Sequence, residues 1–395
     1  MLYYMYVAIA GEDRISVCTL NPETGKIEPK SHFTVPGGPA TLAIDPERRF
    51  LYAGCDSRYT GSTSSADAAA RATSVGVVSS YQIDWKTGGL TPINTMSLQS
   101  TPAYIAVDRK GKFLLSACYF AGKLAVYRIG NNGRIGSAVQ WLDTGGGIHS
   151  VQTDPSNRFV FAPHVALDEI NKTRWANISS SNYILPHGSS TILQLKFDET
   201  TGHLTLNSPD RVTMGKGVGP RHLCFHPNKD ILYCSNEQGS SVSAYRFNSE
   251  VGTLGVFQTV STLLEDFKGE NSCSAIRITN SGRFVYVLNR GHDSVACFST
   301  DPADGRLTLV KTVPTEERPR ELGLDPDSNF LFVVGRSGRM ASYRVVEDTI
   351  LQPLETYTIG KNPMWVLVTS LPPRKNCLQV TSLLTRRGSI PDAIT

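Results

Sequence analysis

Val218-Gly219-Pro220-Arg221-His222-Leu223-Cys224-Phe225-His226-Pro227-Asn228, with the run that follows it to Ser235-Asn236-Glu237, is the stretch from which the chain is best read. A proline leads into an apolar-alternating run, a His-Pro turn reverses the chain, and a second apolar run returns, which is the pattern of a β-hairpin. The unit recurs along the sequence, mostly with Asp-Pro at the turn. Residues 42–53 read Leu-Ala-Ile-Asp-Pro-Glu-Arg-Arg-Phe-Leu-Tyr-Ala, and 105–116 read Ile-Ala-Val-Asp-Arg-Lys-Gly-Lys-Phe-Leu-Leu-Ser. Further copies occupy 151–162, 276–287 and 322–333. A final half-copy, Pro363-Met364-Trp365-Val366-Leu367-Val368, has no second strand after it. Residues 4–10, Tyr-Met-Tyr-Val-Ala-Ile-Ala, supply that strand from the other end of the chain.

A second marker sits between copies. Residues 21–27, 84–90, 131–135, 198–204, 248–254 and 301–307 are glycine-containing hairpin turns, each joining a third strand to a fourth. Four antiparallel strands in a repeat of about 45–50 residues make one propeller blade. Six complete strand pairs and one split between the termini predict an all-β, seven-bladed β-propeller over residues 1–371. Its ring is closed by N-terminal strands pairing with the C-terminal strand, which removes free sheet edges. A two-domain α/β fold is a poor rival, because no helical period separates the strands. Segments 57–73 and 166–188 are longer than the other connections. They are expected to be loops or short helices on one face of the disc. Residues 372–395 are expected to form a disordered tail, in which Arg386-Arg387-Gly388-Ser389 matches a kinase site by chance.

Composition bounds the function. The 395 residues exceed what one ordinary core serves, which suits a repeat architecture. A net charge of +4 without a basic run argues against nucleic acid. No apolar stretch is long enough for a membrane span. Residues 1–10 lack a basic leader and read as a strand rather than a secretion signal. The eight cysteines are scattered with no Cys-x-x-Cys pair, so buried free thiols in a reducing cytoplasm are expected. On that view the sequons at Asn171 and Asn177 are chance matches. A monomer is expected, with no membrane partner.

In each blade the start of the first strand and the end of the second lie at the same end of the central channel. Strand starts there carry His149, Arg221 with His222, and Arg320. Strand ends carry His164, Glu237 and Arg290, with His292 just after. A channel mouth of one carboxylate, histidines and arginines suits an anionic small molecule. Strand alternation puts Arg221 and His222 on opposite sides, so only one is expected in the channel, and Arg221 is the choice. His226 replaces the turn aspartate on the opposite face and reads as structural. His187 falls in the second long segment. No local metal-ligand spacing, Gly-x-Ser-x-Gly elbow or P-loop is present, and neither metal nor cofactor is expected.

Residues 219–228, 235–237, 275–278 and 282–294, with Arg318-Pro319-Arg320 and 360–365, resemble the seven-bladed propeller lactonase family. Its members include the bacterial-type 6-phosphogluconolactonase and the fungal carboxy-cis,cis-muconate cyclase. The resemblance spans roughly residues 3–370. It implies that the family's active-site histidine falls on His149, in Gly147-Ile148-His149-Ser150, its arginines on Arg221 and Arg290, and its glutamate on Glu237. Arg320 matches a further family arginine. The chain departs from the family at its two long segments and at His164, where relatives more often carry an acid. The implied activity is metal-independent hydrolysis of a phosphorylated sugar lactone such as 6-phosphogluconolactone, a step of the pentose phosphate pathway. His149, Glu237, Arg290 and Arg221 would act in catalysis, and Arg320, His164 and His292 in substrate binding. Either His149 or Glu237 could be the base. A lactonising cyclase and a non-catalytic binding platform are the alternatives.

Overall fold

The computed structural model describes residues 3–56, 75–165, 190–346 and 350–373. The long segments 57–73 and 166–188, with His187 and both sequons, lie outside the described residues, as does the tail from 374 onward. The strands form seven four-stranded sheets, each antiparallel, arranged as the blades of a propeller. Six sheets use strands in consecutive order. The innermost strands of blades 2 to 7 are Pro39–Ile44, Tyr104–Val107, Gln152–Thr153, Pro220–Phe225, Ser272–Ile278 and Pro319–Leu324. In blade 1 the innermost strand is Pro363–Ser370 from the end of the chain, paired with Tyr3–Ile9 from its beginning. A 3-10 turn, Ala10–Glu12, is the only helical element among the described residues.

The turn residue of each hairpin does the same work with different chemistry. Asp154 Oδ1 accepts the N–H groups of Arg158 and Phe159 at 2.8 and 2.7 Å. Asp108 Oδ1 does so for Lys112 and Phe113 at 2.6 and 2.7 Å. In blade 6 Thr279 Oγ1 accepts the N–H of Phe284 at 3.2 Å. In blade 5 His226 Nδ1 accepts the N–H of Asn228 at 3.0 Å, so the imidazole stands in for a carboxylate as turn acceptor.

The two sequence markers meet in space. The aromatic residue that opens a second strand packs under the glycine turn of the next blade: Phe50 under Gly133, Phe113 under Gly202, Phe159 under Gly252, and Phe330 of blade 7 under Gly25 of blade 1. In blade 5 Ile231 takes this place under Gly305. Amide side chains add polar clamps between the outermost strands. Gln140 donates to Leu204 O at 3.0 Å and accepts its N–H at 2.7 Å, and Gln258 treats Leu307 the same way at 2.8 and 2.7 Å. The apolar core therefore lies between blades, as where Tyr52 of blade 2 clusters with Leu114 and Tyr127 of blade 3.

Gly252 has φ +72°, and a Cβ there would overlap the Phe159 ring. Gly252→Ala combines a left-handed alanine with overpacking and is expected to cost about 2–4 kcal/mol in urea unfolding. Gly255, three residues on and with nothing near its would-be Cβ, is the control. Gly255→Ala is expected to stay within about 0.5 kcal/mol of the wild type.

Candidate functional site

Four innermost strands begin with proline followed by a register shift: at Pro39/Thr41, Pro220/His222 and Pro319/Glu321, and opposite Met364 in blade 1. A bulge opposes two residues to one on the partner strand and interrupts the in-out alternation. Ala40, Arg221, Arg320 and Met364 occupy these bulges, and all four line a cavity at one end of the channel. The next residues in three of the strands, His222, Glu321 and Trp365, line it too. This corrects the expectation that Arg221 and His222 point to opposite sides. Both reach the cavity, because the alternation rule assumes a regular strand and this one is bulged.

Glu237, at the turn after the second strand of blade 5, lies between two arginines. Arg221 Nε stands 3.0 Å from its Oε2, and Arg290 Nη2 stands 2.7 Å from its Oε1. Arg290 Nη2 also donates to Cys273 O at 3.0 Å. Arg221 is only 3% exposed. Its Nη1, and Nε of Arg290, have no hydrogen-bond partner among the described residues. Backbone bonds hold the frame: Glu237 N–H donates to Gly219 O at 2.6 Å, and Cys273 N–H to Glu237 O at 3.0 Å. Ser150 Oγ fixes the Arg221 carbonyl at 2.7 Å. Burial raises the Glu237 carboxyl pKa, but the attraction of Arg290 and then Arg221 outweighs it and holds the group down at about 2. Burial lowers the Arg221 guanidinium to about 10.

His149 enters from blade 4, its N–H bonded to Pro163 O at 3.0 Å. Its ring stands edge-on to Tyr119 at 5.3 Å and to His222 at 5.1 Å between centroids, and its Nδ1 has no partner among the described residues. Burial, then the charge of Arg221, hold both His149 and His222 well below the ordinary imidazole value, so both are neutral near pH 7. Tyr104 packs edge-on against His222 at 5.2 Å and Trp365 at 5.3 Å, which narrows the channel behind the histidines.

One acid of the site is not found by scanning channel ends for a single residue per strand. Glu321 is 1% exposed. Its Oε1 meets Arg277 Nη2 at 2.9 Å, and its Oε2 faces His222 Nδ1 at 3.8 Å. Burial raises its carboxyl, and Arg277 only partly offsets the rise. The signal that could have found it is Pro-x-x at the start of an innermost strand, which marks two inward residues. Tyr119, Trp365 and Asp56 also line the cavity and carried no chemical motif.

The structure brings His149, Arg221, Glu237 and Arg320 together around one cavity, with Arg290 joined to it through Glu237. Two expected residues stand elsewhere. His164 is fully buried in the body of blade 4. Its Nδ1 lies 2.9 Å from Ala162 O, and burial lowers its pKa to about 4. It ends a second strand, a layer behind the innermost one. His292 lies on the turn beyond Arg290. Its ring packs on Phe267 at 4.7 Å, and its Nδ1 is 2.7 Å from Ser294 Oγ, away from the cavity lining. Among the described residues no group of three or more His, Cys, Asp or Glu side chains is placed to hold a metal, and no helix is long and apolar enough to cross a membrane.

Residues 4–368 match the family model described as "Lactonase, 7-bladed beta-propeller". The chain is 32% identical over 373 residues to 6-phosphogluconolactonase of Pectobacterium carotovorum subsp. carotovorum (strain PC1), covering 94% of this chain and 100% of the relative. It is 30% identical over 367 residues to 6-phosphogluconolactonase of Yersinia pestis (strain Pestoides F), covering 92% and 97%. Among solved structures, the periplasmic gluconolactonase of Pseudomonas aeruginosa superimposes with a TM-score of 0.78 at 22% identity, covering 94% of this chain and 100% of that one. A putative 6-phosphogluconolactonase from Bacteroides fragilis gives 0.75 at 23%, covering 93% and 97%. At these identities the solved structures speak for the fold alone. The family match over nearly the whole propeller, together with these relatives, establishes that the chain belongs to the seven-bladed β-propeller lactonase family.

Proposed function

We propose that the protein is a metal-independent lactonase that hydrolyses a phosphorylated sugar lactone such as 6-phosphogluconolactone, in the pentose phosphate pathway. The observation that carries this reading is one carboxylate held between two buried or half-buried arginines beside a neutral, unpartnered histidine. Chemical support from outside the chain comes from relatives at 30–32% identity that are 6-phosphogluconolactonases. The free cysteines among the described residues, all buried or half-buried, fit a reducing cytoplasm.

His149 is the better base of the two candidates. A carboxyl held at about 2 with both oxygens in ion pairs has little proton affinity near pH 7. A neutral imidazole with a free ring nitrogen can accept a proton from water. That water adds to the lactone carbonyl, and the new oxyanion is held by Arg221 or Arg290, where one donor is worth on the order of 10²–10³-fold. The ring C–O bond then breaks, and the imidazolium of His149 returns its proton to the departing ring oxygen. Glu237 keeps the two guanidinium groups in place, and Arg320 holds the anionic group of the substrate.

Freshly made 6-phosphogluconolactone should open faster with the protein than unaided, and chelator should not change the rate. His149→Ala is expected to lower kcat by about 10²–10⁴-fold with a smaller change in KM, and Arg290→Ala should abolish the acceleration. A wild-type rate no faster than the spontaneous one sinks the lactonase reading. Glu237→Gln leaves Arg221 buried without its counter-charge, so a loss of about 3 kcal/mol in urea unfolding at pH 7 is expected. The sign with pH follows from the depressed carboxyl. The stability due to Glu237 is complete above its ordinary pKa of 4.5 and lost as pH falls toward about 2. The gap between wild type and Glu237→Gln should therefore close over that window, and a gap constant from pH 5 to 2 would contradict the ion-pair geometry.

A further inference from the structure

We infer that Arg318 and Arg336, with Arg320 and Arg290, form a separate phosphate subsite on the rim between blades 6, 7 and 1, and that this subsite sets the preference for phosphorylated over neutral lactones. The inference rests on the lactonase reading and adds two residues, Arg318 and Arg336, which that reading does not use.

The rim holds a second depression beside the catalytic cavity. Its lining is Arg290, Arg318, Arg320, Arg336, Asn362 and Pro363: four arginines and no acid. Two of the four tie it to the chemistry. Arg320 lines both depressions, and Arg290 grips Glu237. Two nearby acids, Asp293 and Glu316, are engaged elsewhere. Asp293 Oδ1 accepts the backbone N–H groups of Gly291 and Arg318 at 3.1 and 2.9 Å. Glu316 accepts from Ser337 Oγ at 2.7 Å, and Arg339 Nε stands 3.9 Å away from it. The Glu317 carbonyl accepts Arg336 N–H at 2.9 Å. Among the described residues no carboxylate pairs with the Arg318 or Arg336 side chain, and guanidinium groups so placed are matched by a phosphomonoester dianion, which can accept several forked hydrogen bonds at once.

The backbone under Arg318 supplies an independent observation. The residue before the proline that opens an innermost strand takes a left-handed conformation in four blades. Blades 2 and 5 use Gly38 at φ +69° and Gly219 at φ +65°, and blade 1 uses Asn362 at φ +54°. Blade 7 uses Arg318 at φ +45°. Glycine is free to adopt this conformation and asparagine tolerates it, whereas a long side chain with a Cβ does not favour it. Blade 7 thus holds an arginine where its own fold prefers glycine, and the Asp293 carboxylate fixes that turn. Backbone strain of this kind is found at ligand clamps, and here it falls at the edge of an arginine-lined depression.

The test uses the full chain, two lactones and inorganic phosphate. Wild-type protein should open 6-phosphogluconolactone with a higher kcat/KM than glucono-δ-lactone, and bind inorganic phosphate in calorimetry. In Arg318→Gly and in Arg336→Ala the phosphorylated-to-neutral ratio should each fall about tenfold or more, the worth of one charge-assisted hydrogen bond, and phosphate binding should weaken in step. Arg318→Gly should unfold at the same or higher urea concentration than wild type, which separates lost recognition from lost folding. Equal kcat/KM for both lactones in the wild type, or a wild-type ratio kept in both variants, overturns the subsite and leaves the lactonase standing. If neither lactone is opened, the lactonase reading fails. The subsite then stands or falls on whether both variants weaken phosphate binding.

Discussion

An aromatic ring under a glycine turn is the contact on which the ring of blades depends. Each blade alone is a four-stranded sheet with two apolar faces, and it becomes stable only when both faces are covered. The phenylalanine that opens a second strand reaches sideways under the hairpin of the following blade, and only glycine leaves room for it. Because Phe330 reaches Gly25 across the junction of the chain's two ends, the same lock closes the circle. The amide clamps at Gln140 and Gln258 add polar register on the outside of the ring. With neighbours fixed this way, the innermost strands have little freedom left, and the cavity at their ends is held by the whole circle.

The electrostatics of that cavity follow from the same rigidity. Arg221 is almost fully enclosed, and an enclosed guanidinium is tolerated only beside a carboxylate. Glu237 provides it, and is shared with Arg290. A second pair, Arg277 and Glu321, sits deeper, next to His222. The two pairs leave the imidazoles between them uncharged, since a proton on His149 or His222 would face Arg221 at close range in a poorly solvated space. A neutral imidazole beside positive donors is the arrangement that the proposed lactone hydrolysis needs near pH 7.

The sequence disclosed the ring well and the site in part. The hairpin unit and the glycine turns are local signals, tied to the few residues that can make those turns, and both survive in all the copies read. His149, Arg221, Glu237 and Arg320 were legible because each sits at a predictable end of a predictable strand. His164 and His292 were misplaced by the same rule, because the end of a second strand is one layer behind the innermost one and its side chain can turn into the blade. His222 and Glu321 were lost to an assumption of perfect alternation. A bulge is set by proline and by the pull of the neighbouring blade, and its cost in register cannot be read from the polarity of one strand. The pairing of Arg277 with Glu321 joins neighbouring blades and has no local signature at all.

Blade 1 is built from both ends of the chain, its innermost strand Pro363–Ser370 pairing with Tyr3–Ile9. During synthesis Tyr3–Ile9 must therefore wait for Pro363–Ser370, the last of the described strands. That final strand also carries Met364 and Trp365, which line the cavity. A chain stopped anywhere before it would leave an open horseshoe with a raw sheet edge at each end and an unwalled pocket. The cavity thus depends on Pro363–Ser370 being made: a product that ends before this strand lacks the Met364 and Trp365 wall and exposes sheet edges open to aggregation.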